Sequence, residues 1–224
     1  RIIGVSKMSI ITIERKILEK NDAVAEFNRN NFKERKIFAI NLLSSPGSGK
    51  TSILEKIIES LKNKVNIGVI EGDIQTKIDA ERIEKYGIPV AQIITNGACH
   101  LDAILIRDAF SQLNNKQINL LFIENVGNLV CPATFDLGEN IKIVIVSTTE
   151  GDDKPLKYPM AFRKADAMII NKVDLIPYLN SSIEILKNNA LKINPILKIF
   201  ETSCTKNIGI DKLCEWLLDN INNQ

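Results

Sequence analysis

The residues with the most chemical content are Ser44-Ser45-Pro46-Gly47-Ser48-Gly49-Lys50-Thr51. A glycine-rich turn that follows an apolar strand and opens a helix points backbone N–H groups at phosphate oxygens. The helix N-terminus adds partial positive charge. In such a loop Lys50 reaches the β- and γ-phosphates, and the Thr51 hydroxyl can ligate Mg²⁺. Pro46, Gly47, Ser48, Gly49, Lys50, Thr51 and Ser52 are therefore candidate nucleotide contacts. The loop departs from the usual GxxxxGK[ST] pattern at its first position, where Ser44 stands.

A second motif, Asn171-Lys172-Val173-Asp174, directly follows the apolar run Met168-Ile169-Ile170. A carboxylate at Asp174 accepts two hydrogen bonds from guanine, one from the ring N–H and one from the exocyclic amine. Adenine offers no such pair, so Asp174 selects by leaving wrong partners unsatisfied. Asn171 and Lys172 are expected to brace the loop and cover the base. Ser203-Cys204-Thr205 is a candidate base-closing loop. Magnesium needs carboxylate help. Asp73 and Glu124 both end predicted strands. Each is a candidate for holding Mg²⁺ or orienting the attacking water, and with Lys50 they form the candidate catalytic set. The run Glu124-Asn125-Val126-Gly127 has the DxxG form of a γ-phosphate sensor, with Glu in place of Asp.

A third constellation is metal-like. His100, the only histidine, directly follows Cys99, one of four cysteines. The pair precedes a predicted helix over 101–113, a position expected to lower the Cys99 thiol pKa. Cys131 lies seven residues after Glu124, in the segment expected to move when the γ-phosphate is lost. Soft sulfur and imidazole donors suit Ni²⁺ or Zn²⁺. The competing reading is a pair of structural cysteines and a surface histidine. Cys204 and Cys214 read as structural.

The elements that must position these groups follow from hydropathy. Apolar residues at Ile13, Ile17, Leu18, Ala25 and Phe27 mark an amphipathic N-terminal helix, expected to pack on the main domain or on a partner. Beyond Lys36, strands and helices alternate. Strands are expected over 37–43, 66–70, 89–94, 120–123, 141–146, 167–170 and 196–200, with late helices over 182–192 and 209–221. Near-continuous apolar strands imply burial on both faces. The expected fold is therefore α/β: a P-loop NTPase with a mostly parallel sheet of about seven strands between helices. Its expected division is an N-terminal extension (1–12), an N-terminal helix (13–35) and a nucleotide-binding domain (36–224). Met8 is the candidate first natural residue, and no signal-peptide pattern precedes it.

The chain has 224 residues, 45% hydrophobic and 25% charged, with a net charge of +2. That balance argues against a general nucleic-acid or membrane surface, and no apolar run is long enough to span a bilayer. Four widely spaced cysteines without a CxxC point to a reducing, cytoplasmic setting.

The runs NLLSSPGSGKT (41–51), EGDIQTKIDAER (71–82), GACHLDA (97–103), LFIENVGNLVCP (121–132), STTEGDD (147–153) and IINKVDL (169–175) together resemble the HypB family, GTPases that help insert nickel into [NiFe] hydrogenase. Ser44 fits that family's own form of the loop. The resemblance implies a signal-recognition/MinD-like P-loop GTPase that forms a homodimer with nucleotide. It also implies a Ni²⁺ or Zn²⁺ site from Cys99, His100 and Cys131, and transfer to a HypA-like nickel chaperone and a hydrogenase large-subunit precursor. Residues 1–98 hold neither Cys nor His, so neither the N-terminal nickel motif nor the histidine-rich stretch of some relatives is expected. Alternatives are the related urease-maturation GTPase, a metal-independent GTPase chaperone of the same fold, and a small-molecule kinase, against which the guanine motif argues. No arginine finger is evident, so intrinsic turnover is expected to be slow.

Overall fold

The computed structural model describes residues 13–73, 78–113 and 117–223. The N-terminal extension with Met8, and residues 74–77 within EGDIQTKIDAER, lie outside them.

Seven parallel strands form one sheet: β1 (Phe38–Ser44), β2 (Ile67–Asp73), β3 (Val90–Ile94), β4 (Leu120–Gly127), β5 (Ile141–Ser147), β6 (Ala167–Asn171) and β7 (Lys198–Glu201), in the order β3-β2-β4-β1-β5-β6-β7. Each residue of β1 is buried, as two covered faces require. Among the described residues, nine α-helices precede, connect or follow these strands: α1 (Ile13–Glu34), α2 (Lys50–Leu61), α3 (Ile78–Glu84), α4 (Ala103–Gln112), α5 (Cys131–Thr134), α6 (Lys154–Lys157), α7 (Pro159–Arg163), α8 (Ile183–Ile193) and α9 (Ile210–Asn222). Successive β1 residues alternate faces. Phe38, Ile40 and Leu42 join Ile53, Leu54 and Ile57 of α2 and Leu213 and Leu217 of α9. Ala39 joins Ile106 and Phe110 of α4, and Leu43 joins Phe162 of α7 and Leu186 of α8.

Helix α1 packs on the main body. Phe32 meets Phe110 edge-on at 5.1 Å, and Asn28 Nδ2 donates to the carbonyls of Ala103 (2.8 Å) and Leu137 (3.0 Å). The last strand starts later than its apolar run suggests. Pro195 lacks an N–H, and Asn194 Nδ2 turns the chain by donating to Phe162 O (3.0 Å) and Ala165 O (2.8 Å). Ile196 is left 91% exposed.

Strand order reverses at β1, which lies between β4 and β5 while β2 lies beyond β4. Such a switch point opens a crevice at the carboxyl ends of the strands. The β1–β4 register slips there, from Leu42 opposite Glu124 to Ser44 opposite Gly127. One extra residue of β4 is absorbed where its side chains must be re-aimed.

Candidate functional site

The loop after β1 and the N-terminus of α2 line a cleft of about 500 Å³, shared with Glu71, Gly72, Asp73, Asp79, Arg82, Val126, Gly127 and Lys172. Gly49 has φ +90° and caps α2. A Cβ there would stand 2.4 Å from Asn171 Nδ2, so only glycine fits. Gly127 lets β4 approach the loop, because a Cβ would fall 3.0–3.2 Å from Pro46.

Two predicted groups, Lys50 and Thr51, converge on the carboxylate of a third, Glu124. Glu124 Oε1 accepts from Lys50 Nζ at 3.0 Å and from Thr51 Oγ1 at 2.6 Å. Glu124 has no exposed surface, and its Oε2 is buried without a partner. Asp73 lies elsewhere in the cleft, where ligand oxygens of Glu71, Asp73 and Asp79 all lie within 4.8 Å of one another. Ser48 Oγ stands within hydrogen-bond distance of two acceptors, Ser45 O (2.8 Å) and Glu150 Oε1 (3.0 Å), while Ser52 Oγ accepts from Arg82 Nη2 (3.2 Å).

The guanine motif is tied to the phosphate loop. Asn171 Nδ2 donates to Ser48 O at 3.0 Å, and Lys172 Nζ to Gly47 O at 2.7 Å. Asp174 Oδ2 accepts from Thr205 Oγ1 at 3.2 Å. Cys204 Sγ reaches Asn171 Oδ1 at 3.7 Å, and Ser203 bridges to Ile208 across the loop. The structure thus brings 171–174 and 203–205 together beside Gly47–Gly49. Cys214 is buried on α9 in the core.

Cys99, His100 and Cys131 also converge. The two Sγ atoms are 2.9 Å apart, and Cys99 Sγ lies 3.6 Å from His100 Nδ1. The His100 ring stacks on Phe135 at 3.9 Å. Burial lowers the His100 pKa, which favours the neutral, metal-ligating imidazole. The expected low Cys99 pKa is not found. Helix α4 is capped by Asp102, whose carboxylate accepts from Leu105 N–H at 2.8 Å, so Cys99 stands short of the helix end. The hydrogen bond to Cys131, then burial, holds its thiol above the ordinary value.

Several cleft residues escaped the sequence reading. Glu71 is the clearest. It lies inside β2 and pairs in register with Glu124 of β4. It is 2% exposed, with a buried, unpartnered Oε2. A charge inside an apolar strand was its available signal. Arg82 lines the cleft but is held by Glu55 (2.5 Å) and Asp79 (2.9 Å). Lys154 Nζ donates to Ser45 Oγ at 2.9 Å. Nothing local in sequence marks Arg82 for the cleft or Lys154 for a contact with the phosphate loop beside it.

Burial first, then repulsion from Glu124 and Asp73, pushes the Glu71 carboxyl up to about 8. The metal-free folded protein then keeps a proton that the unfolded chain has lost above its ordinary value of 4.5. Between those values the unfolded state binds fewer protons, so stability falls as pH rises, by at most about 1.4 kcal/mol per pH unit. The urea midpoint of metal-free protein is expected to drop from about pH 5 to about pH 8, and Glu71→Gln to flatten that slope. Equal slopes in the two proteins disprove the assignment.

A phosphate loop at the switch point of a parallel sheet, with an Asn-Lys-x-Asp turn beside it, defines a P-loop nucleotide-binding protein. Residues 38–201 match the CobW/HypB/UreG nucleotide-binding domain. The chain is 50% identical over 214 residues to hydrogenase maturation factor HypB of Rhizobium leguminosarum bv. viciae, covering 96% of this chain and 72% of that protein. Its structure resembles the crystal structure of HypB from Archaeoglobus fulgidus (TM-score 0.86, 41% identity, 91% of this chain and 100% of that one). It also resembles that of Helicobacter pylori HypB in complex with nickel (TM-score 0.87, 38% identity, 91% and 96%). The chain belongs to the HypB family. Among the described residues, no helix is long and apolar enough to cross a membrane.

Proposed function

We propose that this protein is a GTP-hydrolysing metallochaperone that helps deliver nickel during [NiFe] hydrogenase maturation, working in the cytoplasm as a nucleotide-dependent homodimer. A HypA-like nickel chaperone and the hydrogenase large-subunit precursor are its proposed partners. The observation that carries this reading is one strand with two jobs. β4 carries Glu124, held by Lys50 and Thr51, and its continuation brings the Cys131 Sγ to within 2.9 Å of the Cys99 Sγ.

In this reading Asp174 selects guanine, Asn171 and Lys172 brace its turn, and 203–205 close over the base. The backbone N–H groups of 47–51 hold the phosphates, and Lys50 neutralises charge that builds on them. The donor set fits Mg²⁺: hard oxygens from Thr51 and Glu124, with the buried, unpartnered Oε2 of Glu124 awaiting a cation, while Asp73 is assigned the orientation of the attacking water. Mg²⁺ when bound supplies charge for the phosphate oxygens. Nickel is cargo. Cys99, His100 and Cys131 offer it two sulfurs and an imidazole within 4.8 Å of one another, a soft set that suits Ni²⁺ or Zn²⁺. Three donors leave the site open for exchange, or for completion by the second subunit.

The test is a Ni²⁺ titration in a non-hydrolysable GTP analogue and again in GDP, with Cys131→Ala alongside. The expected result is a tenfold or greater difference in affinity between the two states, on the order of 1.4 kcal/mol, and loss of tight binding in Cys131→Ala. Equal affinity in both states overturns the switch, because a nucleotide shifts an equilibrium only through differential affinity. Nickel binding that survives Cys131→Ala overturns the site.

A further inference from the structure

The cysteine cluster is held from behind by two asparagines of the segment that starts at Glu124. Asn128 Nδ2 donates to the Cys99 carbonyl at 3.0 Å, while its Oδ1 accepts from the Val130 N–H at 2.9 Å. Cys99 belongs to the loop between β3 and α4. Val130 directly precedes Cys131, in the turn between β4 and α5. One side-chain amide therefore spans both arms of the cluster.

Asn125 repeats the arrangement one layer deeper. It follows Glu124 directly and has no exposed surface. Its Oδ1 accepts from the Leu101 N–H at 3.3 Å and from the Val126 N–H at 3.0 Å. Its Nδ2 donates to Asn41 Oδ1 at 3.3 Å, and Asn41 Nδ2 donates to Glu139 Oε1 at 3.1 Å. Asn41 stands on β1, three residues before the phosphate loop begins at Ser44. A chain of side-chain amides thus runs from the strand that carries the phosphate loop, through β4, to backbone two residues from Cys99. Buried polar groups linked this way are costly to leave unpaired, which favours one arrangement of both arms over a spread of them.

The chemistry of the amide matters. Asn presents one acceptor oxygen and a donor NH₂ in a single plane. Asn128 uses both functions on different arms. A residue that only accepts keeps the local turn to Val130 and loses the bond to Cys99.

We infer that Asn128, backed by Asn125, is the positioning residue that holds Cys99 and Cys131 at a shared coordinating distance and fastens both to the strand carrying Glu124. It acts through the cysteine backbone and touches no ligand atom. The inference rests on the proposed Cys99–His100–Cys131 nickel site. It adds the path by which a change at Glu124 reaches that site.

The test compares wild type with Asn128→Ser and Asn128→Ala, titrating NiCl₂ in GTP-analogue and GDP states and following the thiolate-to-nickel charge-transfer absorbance. Serine is neutral and keeps a hydroxyl acceptor for the Val130 turn, but is too short to reach the Cys99 carbonyl. Thermal unfolding of each variant checks that the fold is retained. Both variants are expected to lose about 10- to 100-fold in nickel affinity, the usual effect of removing the groups that orient metal ligands. The affinity ratio between nucleotide states is expected to fall to within about twofold, below the fivefold lower end of ordinary coupling. Wild-type affinity and wild-type ratio in Asn128→Ser overturn the inference. If wild type binds nickel equally in both states, the switch proposed above fails on its own, and the affinity lost in Asn128→Ser still decides the role of Asn128. If wild type binds no nickel, the proposed site falls and the inference with it.

Discussion

Asp174→Asn is expected to reverse base selectivity, lowering GTP affinity by about 10³ or more and raising XTP affinity in its place. The carboxylate is ready for two donors. Hydrogen bonding from the Ser203 side chain, followed by smaller contributions including Thr205 and Lys206, keeps its pKa below the ordinary value, so it is ionised at neutral pH. Guanine presents a ring N–H and an exocyclic amine to it, and a site built for paired donors rejects a base that lacks them. An Asn amide replaces one acceptor oxygen with a donor NH₂, which clashes with the guanine amine and suits the 2-oxo group of xanthine. Competition binding of GTP and XTP to the two proteins checks this. Unchanged GTP preference in the variant would remove Asp174 from base recognition, and the guanine reading of Asn171–Asp174 with it.

Glu124→Gln is expected to lower kcat for GTP hydrolysis by about 10²–10³ and to raise the Mg²⁺ concentration needed for half-maximal rate. Its Oε1 is shared by Lys50 and Thr51, and Thr51 is the hydroxyl that a phosphate loop gives to Mg²⁺. The side chain is wholly buried, so an amide there leaves the Lys50 ammonium, itself only 12% exposed, without its counter-charge. Asp73 stands apart from this pair, grouped with Glu71 and Asp79. Asp73→Asn is accordingly expected to change kcat with little change in the Mg²⁺ requirement. A shift of the Mg²⁺ requirement in Asp73→Asn and none in Glu124→Gln would assign the two roles the other way round.

Glu71 bears on the Mg²⁺ measurements. Its carboxyl is protonated in the metal-free cleft at neutral pH, and a cation arriving beside it favours loss of that proton. Part of any pH dependence of Mg²⁺ affinity is therefore expected to vanish in Glu71→Gln.

The sequence by itself determined whatever is written contiguously. The phosphate loop and the Asn-Lys-x-Asp turn are short strings whose chemistry needs only a strand before and a loop or helix after. The apolar runs at β1, β5 and β6 marked those strands, because a strand covered on both faces can carry almost nothing but apolar residues. The run before β7 misled at its start, since Pro195 and the Asn194 side chain make a turn where hydropathy alone predicts strand. The cap of α4 misled in the same way. Cys99-His100 lies just before a helix in sequence, yet Asp102 is the residue that caps it, its carboxylate accepting the Leu105 N–H, and the Cys99 thiol stands short of the helix end.

Tertiary structure alone decided which distant groups meet. Glu71 faces Glu124 because β2 lies beside β4 with Glu71 and Glu124 in register. The slip between Leu42 and Ser44 marks where β4 turns from the phosphate loop toward the cysteine arm. The same placement puts Asn128 within reach of Cys99, 29 residues away. Hydropathy encodes which face of a strand is buried, but strand order and register are settled by the packing of the whole sheet against its helices. The chemistry of this protein lies in those pairings.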